Sequence, residues 1–413
     1  MEEVNAYIAK NWSETVRYVP HDRDTLLGLP KPFSTPGISG SFQELYYWDT
    51  YFINVGLLAS GQTEQAANNI ENMFWLIDRF GWMPNGNRTF YLNRSQPPFL
   101  SQMVRELFQQ TQDRAWLRDR AYPTLQKEYH FWQTHRTAGN GLSRYAGEKT
   151  DDTTIFELGK ALCERFGIAP PQSQEKLCSY GYAMQAVAES GWDCTSRFGT
   201  EAHLYTPVDL NALLYLTESN MEWFAEVLGR TEESRQWHTR KEARKEAMDR
   251  LLWDEGRGYY CDCRFSDGRR SELLSVASFY PLFAGMCDRE RAERVIATLP
   301  RLEMPYGVAC CEKTDDLLGL QWDYPNGWAC LQYLVAAALY RYGHEHDARR
   351  IAEKYIDLVD RVFRKSGQLW EKYNVCTGEI SGAKEYKTPP MMGWTAGVYV
   401  AFQKILREKK QPS

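Results

Sequence analysis

Two carboxyl-bearing segments hold the residue types that acid–base chemistry needs. The first is Glu189-Ser190-Gly191-Trp192-Asp193-Cys194-Thr195-Ser196-Arg197-Phe198. Gly191 can end a helix, and Trp192 offers both a platform for a flat ligand face and a dry wall beside Asp193. A carboxyl against such a wall keeps its proton more tightly, as a general acid must. The second is Trp370-Glu371-Lys372-Tyr373-Asn374, where Glu371 could deprotonate a water while Lys372 or a nearby arginine tunes its charge. Read singly, each has a plainer alternative: Asp193 as a helix cap or ion-pair partner of Arg197, and Glu371-Lys372 as a solvated face. Two carboxyls that cleave a glycosidic bond with inversion stand roughly 6.5–9.5 Å apart, and separation along the chain says nothing about that distance.

The surrounding chemistry suits a sugar. The chain has 14 Trp, 25 Tyr and 18 Phe in 413 residues, and many stand beside hydrogen-bonding groups, as in Tyr46-Tyr47-Trp48-Asp49 and Gln321-Trp322-Asp323. A sugar ring has apolar C–H faces and a polar rim, which such pairs complement. A net charge of −5 without a basic stripe argues against nucleic acid as a partner. No apolar run approaches the length of about 18 residues that a membrane span needs. Met1-Glu2-Glu3-Val4-Asn5 lacks a basic region followed by an apolar run, and the ten cysteines are scattered, so free thiols in a cytoplasmic protein are expected. Cys261 and Cys263, and Cys310-Cys311, have neither CxxC partners nor a histidine cluster. No metal is expected.

The elements that must position these residues are overwhelmingly helical. Periodicity predicts helices over 48–60, 62–80, 99–110, 114–134, 152–166, 180–189, 209–225, 231–252, 276–283, 288–297, 325–342, from Asp347 to about Gly367, and 393–405. The last of the long ones carries Ala348, Ile351, Ala352, Tyr355, Ile356, Val359 and Val362 on one face. Tyr259–Asp262 followed by Ser266-Asp267-Gly268-Arg269 reads as a small hairpin. Polar loops rich in Gly, Pro and Asn fall at 31–48, 81–98, 191–208, 303–326 and 370–392. About a dozen helices suffice for six concentric pairs, and no Ser- or Pro-rich linker divides the chain. A single domain spanning 1–413 follows, with its loops meeting over one end of a barrel.

Longer motifs carry a resemblance. Pro36-Gly37-Ile38-Ser39-Gly40-Ser41-Phe42-Gln43-Glu44-Leu45-Tyr46-Tyr47-Trp48-Asp49-Thr50-Tyr51 and Gln321-Trp322-Asp323-Tyr324-Pro325-Asn326-Gly327-Trp328-Ala329 resemble the two signatures of the trehalase family. Pro84-Asn85-Gly86-Asn87-Arg88, Arg94-Ser95-Gln96-Pro97-Pro98-Phe99 and Pro207-Val208-Asp209-Leu210-Asn211 add to the match. The resemblance implies an all-α (α/α)6 barrel, inverting hydrolysis of trehalose to glucose, and no cofactor. It implies Asp193 as general acid and Glu371 as general base, with Phe42, Trp48, Asp49, Asn85, Arg94, Gln96, Trp192, Arg197, Trp322, Asp323 and Glu385 around the substrate.

Three stretches depart from the family pattern. The first signature usually has a second glycine and an arginine before its phenylalanine; here those positions read Ile38-Ser39-Gly40-Ser41-Phe42, with the arginine missing or displaced by an inserted residue. An Arg-Pro-Glu stretch usually follows Arg144, where this chain has Ala146-Gly147-Glu148-Lys149-Thr150-Asp151. A glycine-run lid ending in Glu-Tyr is replaced by Gly378–Ala383 followed by Lys384-Glu385-Tyr386. These changes put the leaving-group side in question, with Lys149, Lys384 or Glu385 as possible replacements for the lost arginines. Another small α-glucoside, such as kojibiose or glucosylglycerate, and a catalytically silent sugar binder are the alternatives.

Overall fold

In the computed structural model, whose described residues are 1–148, 150–382, 387–390 and 392–407, the helices form two concentric rings. In chain order they are α1 (Glu2–Asn11), α2 (Tyr47–Ala59), α3 (Thr63–Phe80), α4 (Leu100–Thr111), the single turn α5 (Arg114–Trp116), α6 (Tyr122–Thr134), α7 (Asp152–Phe166) and α8 (Gln174–Ser190). There follow α9 (Val208–Val227), α10 (Thr231–Leu251), α11 (Tyr280–Phe283), α12 (Arg289–Ile296), α13 (Ala329–Arg341), α14 (Glu345–Ser366) and α15 (Gly393–Arg407). The inner ring is α2, α4, α9, α11, α13 and α15, each packed on the next. Burial separates the rings. Twelve of the thirteen residues of α2 are buried, whereas α10 buries only Trp237, Arg244, Ala247 and Met248. A helix apolar all round belongs inside, and one with a single apolar stripe belongs outside. Outer α14 faces inward with the stripe read from the sequence, from Ala348 to Val362.

The ring closes where α15 meets α2, and two glycines make the contact. A Cβ on Gly56 would lie 2.4 Å from Gly397 Cα, and one on Gly397 would lie 2.1 Å from the Phe52 carbonyl oxygen. Only glycine permits that approach. The expected (α/α)6 barrel is the observed fold.

One helical pair stands outside the six. α7 and α8 form an antiparallel hairpin between α6 and α9, again packed through glycines, Gly159 against Leu177 and Gly181 against Ile155. α8 begins at Gln174, capped by Ser173, rather than near Tyr180, and α1 had no counterpart among the expected helices. α1 is held from outside: Tyr7 packs edge-on to Phe363 at 5.1 Å, and the Met1 amine pairs with Asp360.

Two segments differ locally from expectation. The helix anticipated from Pro325 starts at Ala329, because Asn326–Trp328 is a strand paired antiparallel with Lys372–Asn374. The anticipated hairpin forms around its turn, with Cys263 bridged antiparallel to Arg270, but Tyr259–Tyr260 pairs with Trp253–Asp254 instead, and Cys263–Arg264 also pairs with Tyr205–Thr206. At Asn326–Trp328 a partner strand distant in the chain overrides the local helical pattern. Among the described residues no helix is long and apolar enough to cross a membrane.

Gly397→Ala is expected to lower stability by about 1–3 kcal/mol through overpacking at the ring seam, despite alanine's better helix propensity. Thermal denaturation monitored by circular dichroism checks this, and an unchanged or raised Tm would refute the seam argument.

Candidate active site

All five polar loops send residues to one cavity of about 230 Å³ at the loop end of the barrel. Phe42, Tyr46 and Trp48 come from the first, Asn85, Tyr91, Arg94 and Gln96 from the second. Gly191 and Asp193 come from the third, Gln321 and Trp322 from the fourth, and Glu371 from the fifth, with Asp49, Trp328 and Trp394 at adjoining helix and strand starts.

Tryptophans form its wall. Trp322 stacks on Trp328 at 3.9 Å and 3°, and lies 5.6 Å from Trp48 and 5.3 Å from Trp192. Trp394 meets Trp48 and Trp328 edge-on at 5.8 and 5.5 Å. The stack is possible because Gly191 ends α8 with φ +72, leaving room where a Cβ would come within 2.7 Å of the Trp48 ring. Phe42 and Cys194, at the first and third loops, also have positive φ (+60 each), a strained geometry for bulky residues that tends to gather at functional sites.

Three carboxyls face this wall under different electrostatics. Burial raises the Asp193 pKa, opposed by the positive charges of Arg165 and Arg94. Burial, with the charges of Glu371 and Asp193, raises Asp49 from its ordinary 3.8 to about 8. Glu371 instead has a cation beside it: the buried Lys372 donates to Glu371 Oε2 at 2.6 Å, while its ammonium lies 4.8 Å from the Trp328 ring centre. The Lys372–Asn374 strand pairs Lys372 with Trp328, and Trp394 Nε1 donates to the Glu371 carbonyl at 3.1 Å, so backbone and ring fix this segment together. Arg94 packs against Tyr91, and its buried Nε has no hydrogen-bond partner among the described residues.

Of the residues anticipated from the sequence, Phe42, Trp48, Asp49, Asn85, Arg94, Gln96, Asp193, Trp322 and Glu371 line the cavity. Trp192, Arg197 and Asp323 stand behind its wall. Arg197 is committed to Asp209 (2.7 Å) and Asp262 (2.6 Å) and lies 5.0 Å from the Trp192 ring centre, so its partner is not Asp193. Asp323 accepts from the Ser196 amide and hydroxyl at 2.7 Å each, tying the third loop to the fourth. Glu385, like Lys149 and Lys384, lies outside the described residues. Tyr46, Tyr91, Arg165, Gln321, Trp328 and Trp394 line the cavity without having been singled out. Tyr46, Gln321 and Trp328 lie within the signatures and could have been found there. Arg165, at the exposed end of α7, reads in sequence as an ordinary surface charge.

A sequence model of the trehalase family matches residues 1–407. The chain belongs to the trehalase family. A periplasmic trehalase of Xanthomonas oryzae pv. oryzae (strain MAFF 311018) is 37% identical over 414 residues, covering 94% of this chain and 70% of that protein. A periplasmic trehalase of Escherichia coli O1:K1 / APEC is 33% identical, covering 94% and 71%. Among solved structures, the neutral trehalase of Saccharomyces cerevisiae superposes with a TM-score of 0.79 at 27% identity, covering 93% of this chain and 78% of that one.

These bacterial relatives overturn the cytoplasmic expectation, since they are named periplasmic. The inference from thiols fails for a physical reason: eight of the ten cysteines are buried, so their unpaired state reflects packing rather than compartment.

The raised pKa of Asp49 gives a stability prediction. A carboxyl that holds its proton to about pH 8 when folded, but only to 3.8 when unfolded, makes stability fall as pH rises between those values and level off above them. Asp49→Asn removes this slope, so its Tm should rise relative to wild type between pH 5 and pH 8. A Tm difference independent of pH across that range would show Asp49 to be ionised in the folded protein.

Proposed function

We propose that this chain is one catalytic domain that hydrolyses α,α-trehalose with inversion, using Asp193 as general acid and Glu371 as general base. The observation that carries the reading is the contrast between two carboxyls on one cavity: burial helps Asp193 retain a proton, while the Lys372 ammonium stabilises the Glu371 carboxylate. Environments that push two acids apart in this way mark the donor and the acceptor of protons. The family match and the trehalase relatives support the substrate.

In the reaction, Asp193 gives its proton to the glycosidic oxygen as the C–O bond breaks. Glu371 takes a proton from the water that attacks the anomeric carbon from the opposite face, so a single displacement forms the product without a covalent sugar–enzyme intermediate. The tryptophan wall excludes bulk water and stacks on the C–H face of the sugar being cleaved, while Arg94, Asn85, Gln96 and protonated Asp49 provide directed hydrogen bonds to its hydroxyls.

Inversion at one of the two anomeric centres converts each trehalose into one β-glucose and one α-glucose. Time-resolved NMR should find the anomers in equal initial amounts, and α-glucose alone would exclude the mechanism. Asp193→Asn and Glu371→Gln should each cost at least about 10²–10⁴-fold in kcat while leaving the fold intact. Near-normal turnover in either folded variant would remove that residue from its role.

The departures at Ser41 and Ala146 favour one second reading, another small α-glucoside sharing the cleaved glucose. Assays against trehalose, kojibiose, nigerose, maltose, isomaltose and glucosylglycerate decide between them. Trehalose is expected to have the highest kcat/KM, and its resistance alongside efficient cleavage of another member would select the alternative.

A further inference from the structure

We propose that Arg165, brought in by the α7–α8 hairpin, binds the leaving glucose and determines which leaving group the enzyme accepts. This rests on the proposed trehalose hydrolysis and assigns the half of the site where the chain departs from its family.

A general acid stands beside the bond it protonates, between the sugar being cleaved and the sugar that leaves. A cation that is both close to Asp193 and nearer the mouth of the cavity therefore faces the leaving sugar. Arg165 meets both conditions. Its charge is the foremost positive influence on Asp193, ahead of Arg94, and its Nη1 lies 3.7 Å from the sulfur of Cys194, the next residue along the chain. It also lines the cavity while belonging to the exposed last turn of α7.

A second observation gives the direction. Arg165 also lines an outer recess of about 440 Å³ bounded by Glu164, Gly167, Leu318 and Leu320. Arg165 therefore touches both the cavity and this recess, on the side of the site nearer the surface. Arg94 and Arg165 are the cationic side chains among the described residues lining the deep cavity. Arg94 belongs to the second loop and sits against Tyr91, whereas Arg165 comes from a hairpin outside the six barrel pairs. Arg165 supplies planar, multiply donating recognition of vicinal hydroxyls from a different element.

The test compares trehalose with α-glucosyl fluoride, which presents the same glucose for cleavage but releases fluoride in place of a sugar. Arg165→Ala should lower kcat/KM for trehalose roughly 10- to 100-fold at every pH, as loss of charge-assisted hydrogen bonds does, and leave the fluoride within about threefold of wild type. Arg165→Lys keeps the charge without the planar fork and should recover only part of the loss. Equal falls on both substrates, or none on either, would overturn the assignment. A loss that only displaces the alkaline limb of the trehalose profile would also overturn it, since Arg165 would then act solely on Asp193. Wild-type protein inert towards trehalose but active on the fluoride would reject the trehalose reading itself, independently of any variant.

Discussion

Crowding three carboxyls against a wall of tryptophan is the constraint on which the rest of the site depends. Burying one ionised carboxylate is costly, and burying three close together is costlier still. The structure meets this in three ways. Asp49 holds its proton, Glu371 has the Lys372 ammonium at 2.6 Å, and Asp193 lies between a burial that favours its neutral form and two arginines that favour its anion. The wall that creates the cost also supplies the selectivity between these states. Were the cavity wet, all three acids would ionise together, and no proton would remain for a leaving oxygen.

That wall is assembled from distant parts of the chain, so its parts need independent anchoring. Trp48 opens α2, Trp322 and Trp328 flank the start of α13, and Trp394 opens α15. Trp48 and Trp394 belong to inner-ring helices and Trp328 directly precedes a third, so the ring positions most of the wall. Trp192 packs behind this wall, 5.3 Å from Trp322. It rides on the third loop and is held from behind by Arg197, whose ion pairs with Asp209 and Asp262 are themselves buried. Removing one partner from such a network leaves an uncompensated charge, which ordinarily costs about 3–5 kcal/mol.

The helical ring was legible in the sequence because its signal is periodic and local. The stripe of α14 and the glycine ends at Gly191 and Gly367 required no tertiary information. What local pattern could not show was pairing. Asn326–Trp328 looks like a helix start until Lys372–Asn374 is beside it, and nothing local announces that Cys263–Arg264 also pairs with Tyr205–Thr206. The same limit governs the site. Motifs named Trp48, Asp49, Arg94 and Trp322, which line the cavity, but they equally named Arg197 and Asp323, which brace it from behind. Residue type identifies a hydrogen-bonding group without saying whether its partner is a ligand or the protein. Arg165 escaped because nothing in its sequence neighbourhood distinguishes it from a solvated charge.

The α7–α8 hairpin ties the loop of Asp193 to two other parts of the barrel. Its second helix leads directly into Asp193, and Glu189 near its end is fully buried in a clamp: Arg136 pairs with it at 2.8 Å, and the amides of Ser95 and Ala146 donate to it at 2.8 Å. This carboxylate joins the start of the acid's loop to the loop of Arg94 and to the outer ring just past α6. Displacing Asp193 would therefore mean stranding a buried charge. The first helix ends nearer the surface, where Arg165 lies in the last turn with its Nη1 3.7 Å from the Cys194 sulfur. One arm of the hairpin is thus bound to the loop of Asp193, and the other brings an exposed charge to the same cavity.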